Sequence, residues 1–171
     1  MTDDEYKYLW GRRHNIVIRA LSNRIYHQER QKVFEFREGF IKAISICAGS
    51  LAFAKISEPD ISKWFVALIT VLSTFSLVFG YGNKARDSAK RSIEWTQLER
   101  DIERIGQRDF TEVNINEWVS RANEIEADEP AVNRILFELC FERANETLGG
   151  QADIKLNKFQ RLIPHVFMFI S

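Results

Sequence analysis

Residues 64–81 read WFVALITVLSTFSLVFGY, a stretch of 18 residues without a charged side chain. As a helix it would rise about 27 Å, close to the thickness of a bilayer's hydrocarbon core. A second apolar stretch, about residues 39–55, has Lys42 near its start. This stretch also spans if Lys42 lies one turn inside the boundary and extends its ammonium group outward. The polar link between the two stretches is short, so they must run antiparallel as a hairpin.

A buried helical hairpin in a soluble bundle is the alternative interpretation. A helix that is apolar on every side needs protein on every side. The chain has a mass of only 20.0 kDa. Its other helical stretches are mostly amphipathic, which leaves too few apolar faces to enclose both arms. The sequence therefore favours a membrane hairpin.

The remaining sequence has helical periodicity throughout. Apolar residues recur at steps of three and four and predict one long helix over residues 16–54, followed by cytosolic helices over 84–148. We expect Thr111 or Asn114 to begin one of these helices, with Glu117 as a capping-box partner, and Asp128 to begin the next. The predicted class is all-α: a membrane helical hairpin whose long helices extend into a cytosolic helical bundle, with residues 1–171 forming one unit. The tail, residues 151–171, is too short and Pro-interrupted for a third span and is expected to lie on the bundle or at the membrane interface.

Basic residues flank the hairpin on its outer ends. They are Arg24, Arg30, Lys32 and Arg37 before the first arm, and Lys84, Arg86, Lys90 and Arg91 after the second. In the link, Lys55 and Lys63 are offset by Glu58 and Asp60. This distribution predicts a multi-pass protein of the inner membrane with both termini in the cytoplasm.

No pattern in the sequence indicates catalysis. The three His and two Cys lack metal-ligand spacing, and there is no glycine-rich phosphate loop. Acidic residues crowd before Pro130, where a solvated helix end explains them better than acid–base chemistry. Lys+Arg 24 balances Asp+Glu 24, which argues against a nucleic-acid partner. We expect no enzyme activity, no cofactor and no metal.

Small and polar residues within the two arms carry the functional hypothesis. The candidates for lining a pore are Lys42, Ser45, Gly49, Thr70 and Ser73. Small residues also let two helices approach closely, so packing within the hairpin is an equally good explanation. Two helices cannot enclose a polar path, so a pore requires several copies. Apolar residues of the flanking helices are expected to pair within the chain and between copies, giving a homo-oligomer: Leu21, Ile25, Trp95, Leu98 and Ile102.

The layout from Trp10 to Leu148 resembles the SLATT domains, two-helix membrane effectors of bacterial nucleotide-signalling and other conflict systems. A long helix leads into two closely spaced membrane segments. After them come the helical stretches KRSIEWTQLERDIERIG, WVSRANEIEADEP and FELCFERANETLGG. The resemblance implies a pore-forming or membrane-disrupting effector of a defence system, which oligomerises in the bilayer. It also implies a trigger, here expected to be a separate sensor protein or a nucleotide signal.

Two other classes of function stay open from the sequence. One is a constitutive, holin-like small channel that has no signalling partner. The other is a membrane-anchored helical scaffold, in which the hairpin only tethers the chain and the cytosolic helices bind protein. A pore predicts ion leak when the protein is expressed, whereas a tether predicts none.

Overall fold

The structure is a computed structural model that describes residues 3–54 and 59–150. Its elements are α1 (Asp3–Ala54), α2 (Pro59–Phe79), α3 (Tyr81–Arg104), α4 (Glu112–Ala127) and α5 (Arg134–Thr147). No β-strand occurs in these ranges, so the predicted all-α class is confirmed. The link residues 55–58 and the tail 151–171 lie outside the described residues, and the predictions made for them stay predictions.

The long helix α1 ends at Ala54 as predicted but begins well before residue 16. Its inward stripe already includes Leu9, which is buried. Asp3, Asp4 and Glu5 occupy the first turn, where negative charge is favourable at the positive end of the helix dipole. The polar lead-in therefore belongs to the helix and not to a separate segment.

The second apolar arm is α2, which begins at Pro59 and not at residue 64. Proline suits the first helical position because its missing N–H would have no partner inside the helix. The helix ends at Phe79, and Gly80 then adopts φ +56°, a conformation that favours glycine. Gly80 N–H donates to Ser76 O at 3.1 Å, and its own carbonyl accepts from Lys84 N–H at 3.0 Å. Gly80 is thus a joint between α2 and α3 within the predicted segment 64–81.

The helix caps differ in part from the predicted ones. Thr111 does begin α4, with Asn114 as its capping-box partner. The alternative start at Asn114, with Glu117 as the partner of Asn114, is therefore wrong. Asp128 ends α4, so its predicted role at the start of the next helix is wrong. Asn133 begins α5 instead, and its Oδ1 accepts from Leu136 N–H at 3.2 Å.

The chain divides into two compact units. Among the described residues, the bundle unit comprises 3–29 and 89–150. Its main core joins residues from α1, α3, the α3–α4 connection and α4: Leu9, Ile16, Ala20, Trp95, Leu98, Ile102, Phe110, Ile115, Trp118, Ala122 and Ile125. Leu136, Cys140 and Ala144 form the buried face of α5. The apolar stripes of this unit are thus buried within one chain.

The hairpin unit comprises Arg30–Ser88. The residues of α2 that are only partly exposed recur at alternating steps of three and four residues, as one face of a helix does: Ser62, Phe65, Ile69, Leu72, Ser76 and Phe79. A Cβ placed on Gly49 would lie 3.8 Å from Ile69 Cδ1, so the two arms approach closely there. Phe34, Tyr81 and Ala85 form a small buried cluster in the same unit.

Candidate membrane hairpin and polar groove

The outer surface of the hairpin unit is apolar and exposed. On α2, Leu77 is 84% exposed and Trp64 75%. The other exposed large apolar residues from Phe36 to Val78 are Phe36, Phe40, Ile46, Leu51, Phe53, Ile61, Val66, Leu68, Val71, Phe75 and Val78. An apolar surface of this extent on a soluble monomer would be unusual, and such surfaces mark contacts with membranes or with other proteins.

One described helical run, Asp60–Arg104, is long and apolar enough to cross a membrane by length and composition. Only 6% of its apolar window is buried, unlike the core helix of a soluble protein. The first arm is not such a candidate in the described residues, because the last 18 residues of α1 include three charged side chains, Arg37, Glu38 and Lys42. The structure thus identifies one candidate spanning helix where the sequence predicts two.

A polar groove of about 540 Å³ lies in the hairpin unit near the Gly80 joint. Helix α1 contributes Glu38, Ile41, Lys42, Ser45 and Ile46, whereas α2 and the start of α3 contribute Ser73, Ser76, Leu77, Gly80, Gly82, Asn83 and Arg86. Lys42 Nζ lies 2.6 Å from Glu38 Oε1, one helical turn away. The Arg86 guanidinium donates to Asn83 Oδ1 at 2.7 Å.

Gly82 lets α1 and α3 approach closely at this groove. The two carboxylate oxygens of Glu38 lie 2.6 and 2.8 Å from the position that a Cβ on Gly82 would occupy. Any larger residue at position 82 would displace this carboxylate. Glycine at position 82, inside α3, thus leaves room for the Glu38 carboxylate in the position that it occupies here.

The structure brings three of the five predicted pore-lining residues together. Lys42, Ser45 and Ser73 all line the groove. Gly49 instead faces Ile69 in the helix–helix contact. Thr70 is exposed outside the groove, and its hydroxyl donates to Val66 O at 2.9 Å on its own helix.

The predicted bundle and oligomer residues lie mostly inside one chain. Trp95, Leu98 and Ile102 belong to the main core of the bundle unit. Leu21 is buried as well, and Ile25 is partly buried. Side chains buried within the monomer offer no surface to a second copy, so an oligomer would assemble through other residues.

A buried polar cluster in the bundle unit was not predicted from the sequence. His27 Nε2 lies 2.8 Å from Glu129 Oε1, and the Trp95 indole N–H donates to the same oxygen at 2.8 Å. The side chains of His27 and Glu129 are only 1% and 5% exposed. Beside them, Tyr26 OH accepts from Asn133 N–H at 2.8 Å, and Arg91 donates to Asp128 O. The cluster joins α1 and α3 to the α4–α5 connection.

The interpretation of the acidic residues before Pro130 as a solvated helix end is therefore wrong for Glu129. Burial alone would raise the pKa of the Glu129 carboxyl, but hydrogen bonds from His27 and Trp95 act against it. Together with the positive charge of Arg91, they hold this pKa below its ordinary value. Glu129 is thus a buried carboxylate that fixes helices in place. Its partners His27 and Trp95 lie on the inward-facing stripes of α1 and α3. Their position on these stripes is the one sequence signal that indicates a buried partner such as Glu129.

The described residues contain no group of His, Cys, Asp and Glu that could hold a metal ion. Burial also raises the pKa of the Cys140 thiol to about 12, so this side chain stays a protonated packing residue.

The chain matches no protein-family model, no curated protein and no solved structure. The resemblance to the SLATT domains therefore stays a prediction that depends on the layout of the helices.

Proposed function

We propose that this protein is a membrane effector whose hairpin inserts into the inner membrane, assembles with further copies and forms a pore. One observation carries the proposal. The bundle unit buries its apolar stripes within the chain, whereas α2 leaves almost all of its apolar window exposed. Exposed apolar surface on a helical stretch that carries no charge from Trp64 to Phe79 is stabilised by lipid.

The proposed topology places both arms across the membrane with both termini in the cytoplasm. In the hairpin unit, basic side chains gather near the Gly80 end: Arg30, Lys32, Arg37, Lys42, Lys84 and Arg86. At the other end, Lys63 is paired with Asp60 at 2.6 Å. An excess of Lys and Arg marks the cytoplasmic side of a membrane segment. The first arm carries Lys42 near this side, where its long side chain reaches the interface.

A conducting path would form between copies and not within one. The groove is open along one side of the hairpin, and Ser45 and Ser73 place hydroxyls on it. Two helices cannot shield these hydroxyls from lipid, whereas a ring of hairpins with their grooves turned inward would place them against water. At native abundance we place assembly under the control of a separate sensor protein or a nucleotide signal, as the resemblance to the SLATT domains implies. Overexpression should drive the same assembly by mass action without that trigger.

Leucine at both groove serines should suppress the leak that the proposed pore causes. Ser45→Leu combined with Ser73→Leu removes the hydroxyls while the helices stay apolar, which favours dewetting of the path. We expect inducible expression of the wild-type chain to collapse the membrane potential, read with a potential-sensitive dye. The double variant should need at least about tenfold more protein for the same loss of signal, which corresponds to about 1.4 kcal/mol.

The matched control is Thr70→Leu combined with Thr74→Leu. Both hydroxyls donate to carbonyls of their own helix, at 2.9 and 2.8 Å, and both residues lie outside the groove. This control should leak like the wild type at equal membrane abundance. If only the threonine pair suppresses leak, the lumen lies on the other face. If the wild type causes no leak at any abundance, the pore is refuted.

A membrane-anchored scaffold is the second candidate, and the same threonines favour it. Hydroxyls that bond to their own helix are compatible with lipid and need no aqueous path. An anchor predicts unchanged membrane potential in every variant, together with cytosolic proteins that copurify through the bundle unit.

A further inference from the structure

The two cationic side chains of the groove are presented toward its open space. Lys42 lines the groove with its side chain 67% exposed. The Arg86 guanidinium is positioned by two acceptors, Asn83 Oδ1 at 2.7 Å and the Gly82 carbonyl at 3.4 Å. These contacts hold a delocalised positive charge on the lining of the groove.

The one carboxylate in the groove is placed differently. Glu38 is 27% exposed, and its oxygens rest against the backbone of α3 at Gly82. Its Oε1 lies 2.6 Å from Lys42 Nζ, and the Lys42 side chain is much the more exposed of the two. The charged residues that line the groove are thus two cationic side chains and one carboxylate, and their net positive charge favours a mobile anion over a mobile cation.

We propose that the cytoplasmic end of this groove makes the pore selective for small inorganic anions, with Lys42 and Arg86 as the selectivity residues. This inference rests on the proposed pore. In a closed ring, each copy would contribute one Lys42 and one Arg86, and rings of basic side chains are a known basis of anion selectivity. Arg86 lies outside the apolar arms, so the intramembrane candidates predicted from the sequence did not include it.

The test is the chloride-to-potassium permeability ratio of the purified full chain in planar bilayers, measured from the reversal potential in a potassium chloride gradient. The wild type should favour chloride. Lys42→Gln with Arg86→Gln should lower the ratio by about fivefold for each charge removed, the factor for a unit charge pair about 4 Å apart in water. Glu38→Gln should keep or raise the preference for chloride.

Lys63→Gln is the matched control. Lys63 is 66% exposed and lies 2.6 Å from its acidic partner Asp60, as Lys42 does from Glu38, but it lies outside the groove. The chloride-to-potassium permeability ratio of this variant should stay within about twofold of the wild type, because charges more than about 10 Å apart in water are screened at 0.1 M salt. A wild-type preference for potassium, or an equal loss in Lys63→Gln, overturns the inference and leaves the pore intact. The absence of any current refutes the proposed pore itself, and the selectivity with it.

Discussion

Replacing Glu129 with alanine should lower the free energy of unfolding of the bundle unit by about 3 kcal/mol or more, because two buried side chains lose hydrogen bonds to a carboxylate, each of which contributes about 1.5–3 kcal/mol. The substitution leaves His27 without its carboxylate and the Trp95 indole N–H without its acceptor, both in a dry environment. Urea unfolding of the full chain in mild detergent, followed by circular dichroism, measures the loss.

Glu124→Ala is the matched control on the preceding helix. Glu124 is exposed and pairs with Arg121 at 3.1 Å, so its loss should change the free energy of unfolding by less than about 1 kcal/mol. Equal effects of the two substitutions would show that the buried cluster contributes no more than a surface pair.

The stabilisation by Glu129 should also depend on pH in a defined direction. A carboxyl whose pKa is lowered on folding stabilises fully above its unfolded value, here 4.5, and loses this contribution as the pH falls through its folded pKa. The difference in stability between the wild type and Glu129→Gln should therefore shrink below pH 4.5. Burial raises the pKa of Glu99, so this residue changes the stability with pH in the opposite direction. Because Glu99 is present in both proteins, its contribution cancels in the difference between them.

Arginine at Val71 should prevent stable insertion of the hairpin. Val71 is exposed near the middle of α2. An arginine at the centre of a spanning helix costs about 2.5–3.5 kcal/mol, which shifts an insertion equilibrium by about 100-fold. The fraction of protein that stays in the membrane pellet after an alkaline carbonate wash should fall from nearly all to a minor share.

Ile93→Arg provides the comparison for this result. Ile93 is also exposed, but it lies on α3 in the bundle unit. An added surface charge there should leave the membrane fraction unchanged. If Val71→Arg also stays wholly in the membrane, α2 does not cross the hydrocarbon core.

The hairpin could be predicted because its signal is local. A charge-free apolar run sets the position of α2 from the sequence alone, and the three-and-four periodicity of α1 predicts a helix through Ala54. Around Gly80 the sequence indicates only a possible break, with Gly80 and Gly82 on either side of Tyr81. The choice between a continuous helix and a joint depends on contacts between the arms.

The buried cluster could not be predicted because its partners are distant in the chain. His27 and Glu129 are separated by 102 positions, and Trp95 and Glu129 by 34. Locally, Glu129 sits among other acids before a proline, which is the composition of an exposed turn. The groove is a similar case, since its Glu38–Gly82 contact joins two helices and neither residue suggests the other.

In the proposed topology both arms span the membrane and both chain ends lie in the cytoplasm. Paired reporter fusions check this topology, one inserted at Asp60 and one placed after Ser171, each as an enzyme active only in the cytoplasm and as one active only outside. We expect external activity alone at Asp60 and cytoplasmic activity alone after Ser171, with both fusions in the membrane fraction. Cytoplasmic activity at Asp60, or recovery of the unaltered chain in the soluble fraction without detergent, would contradict it.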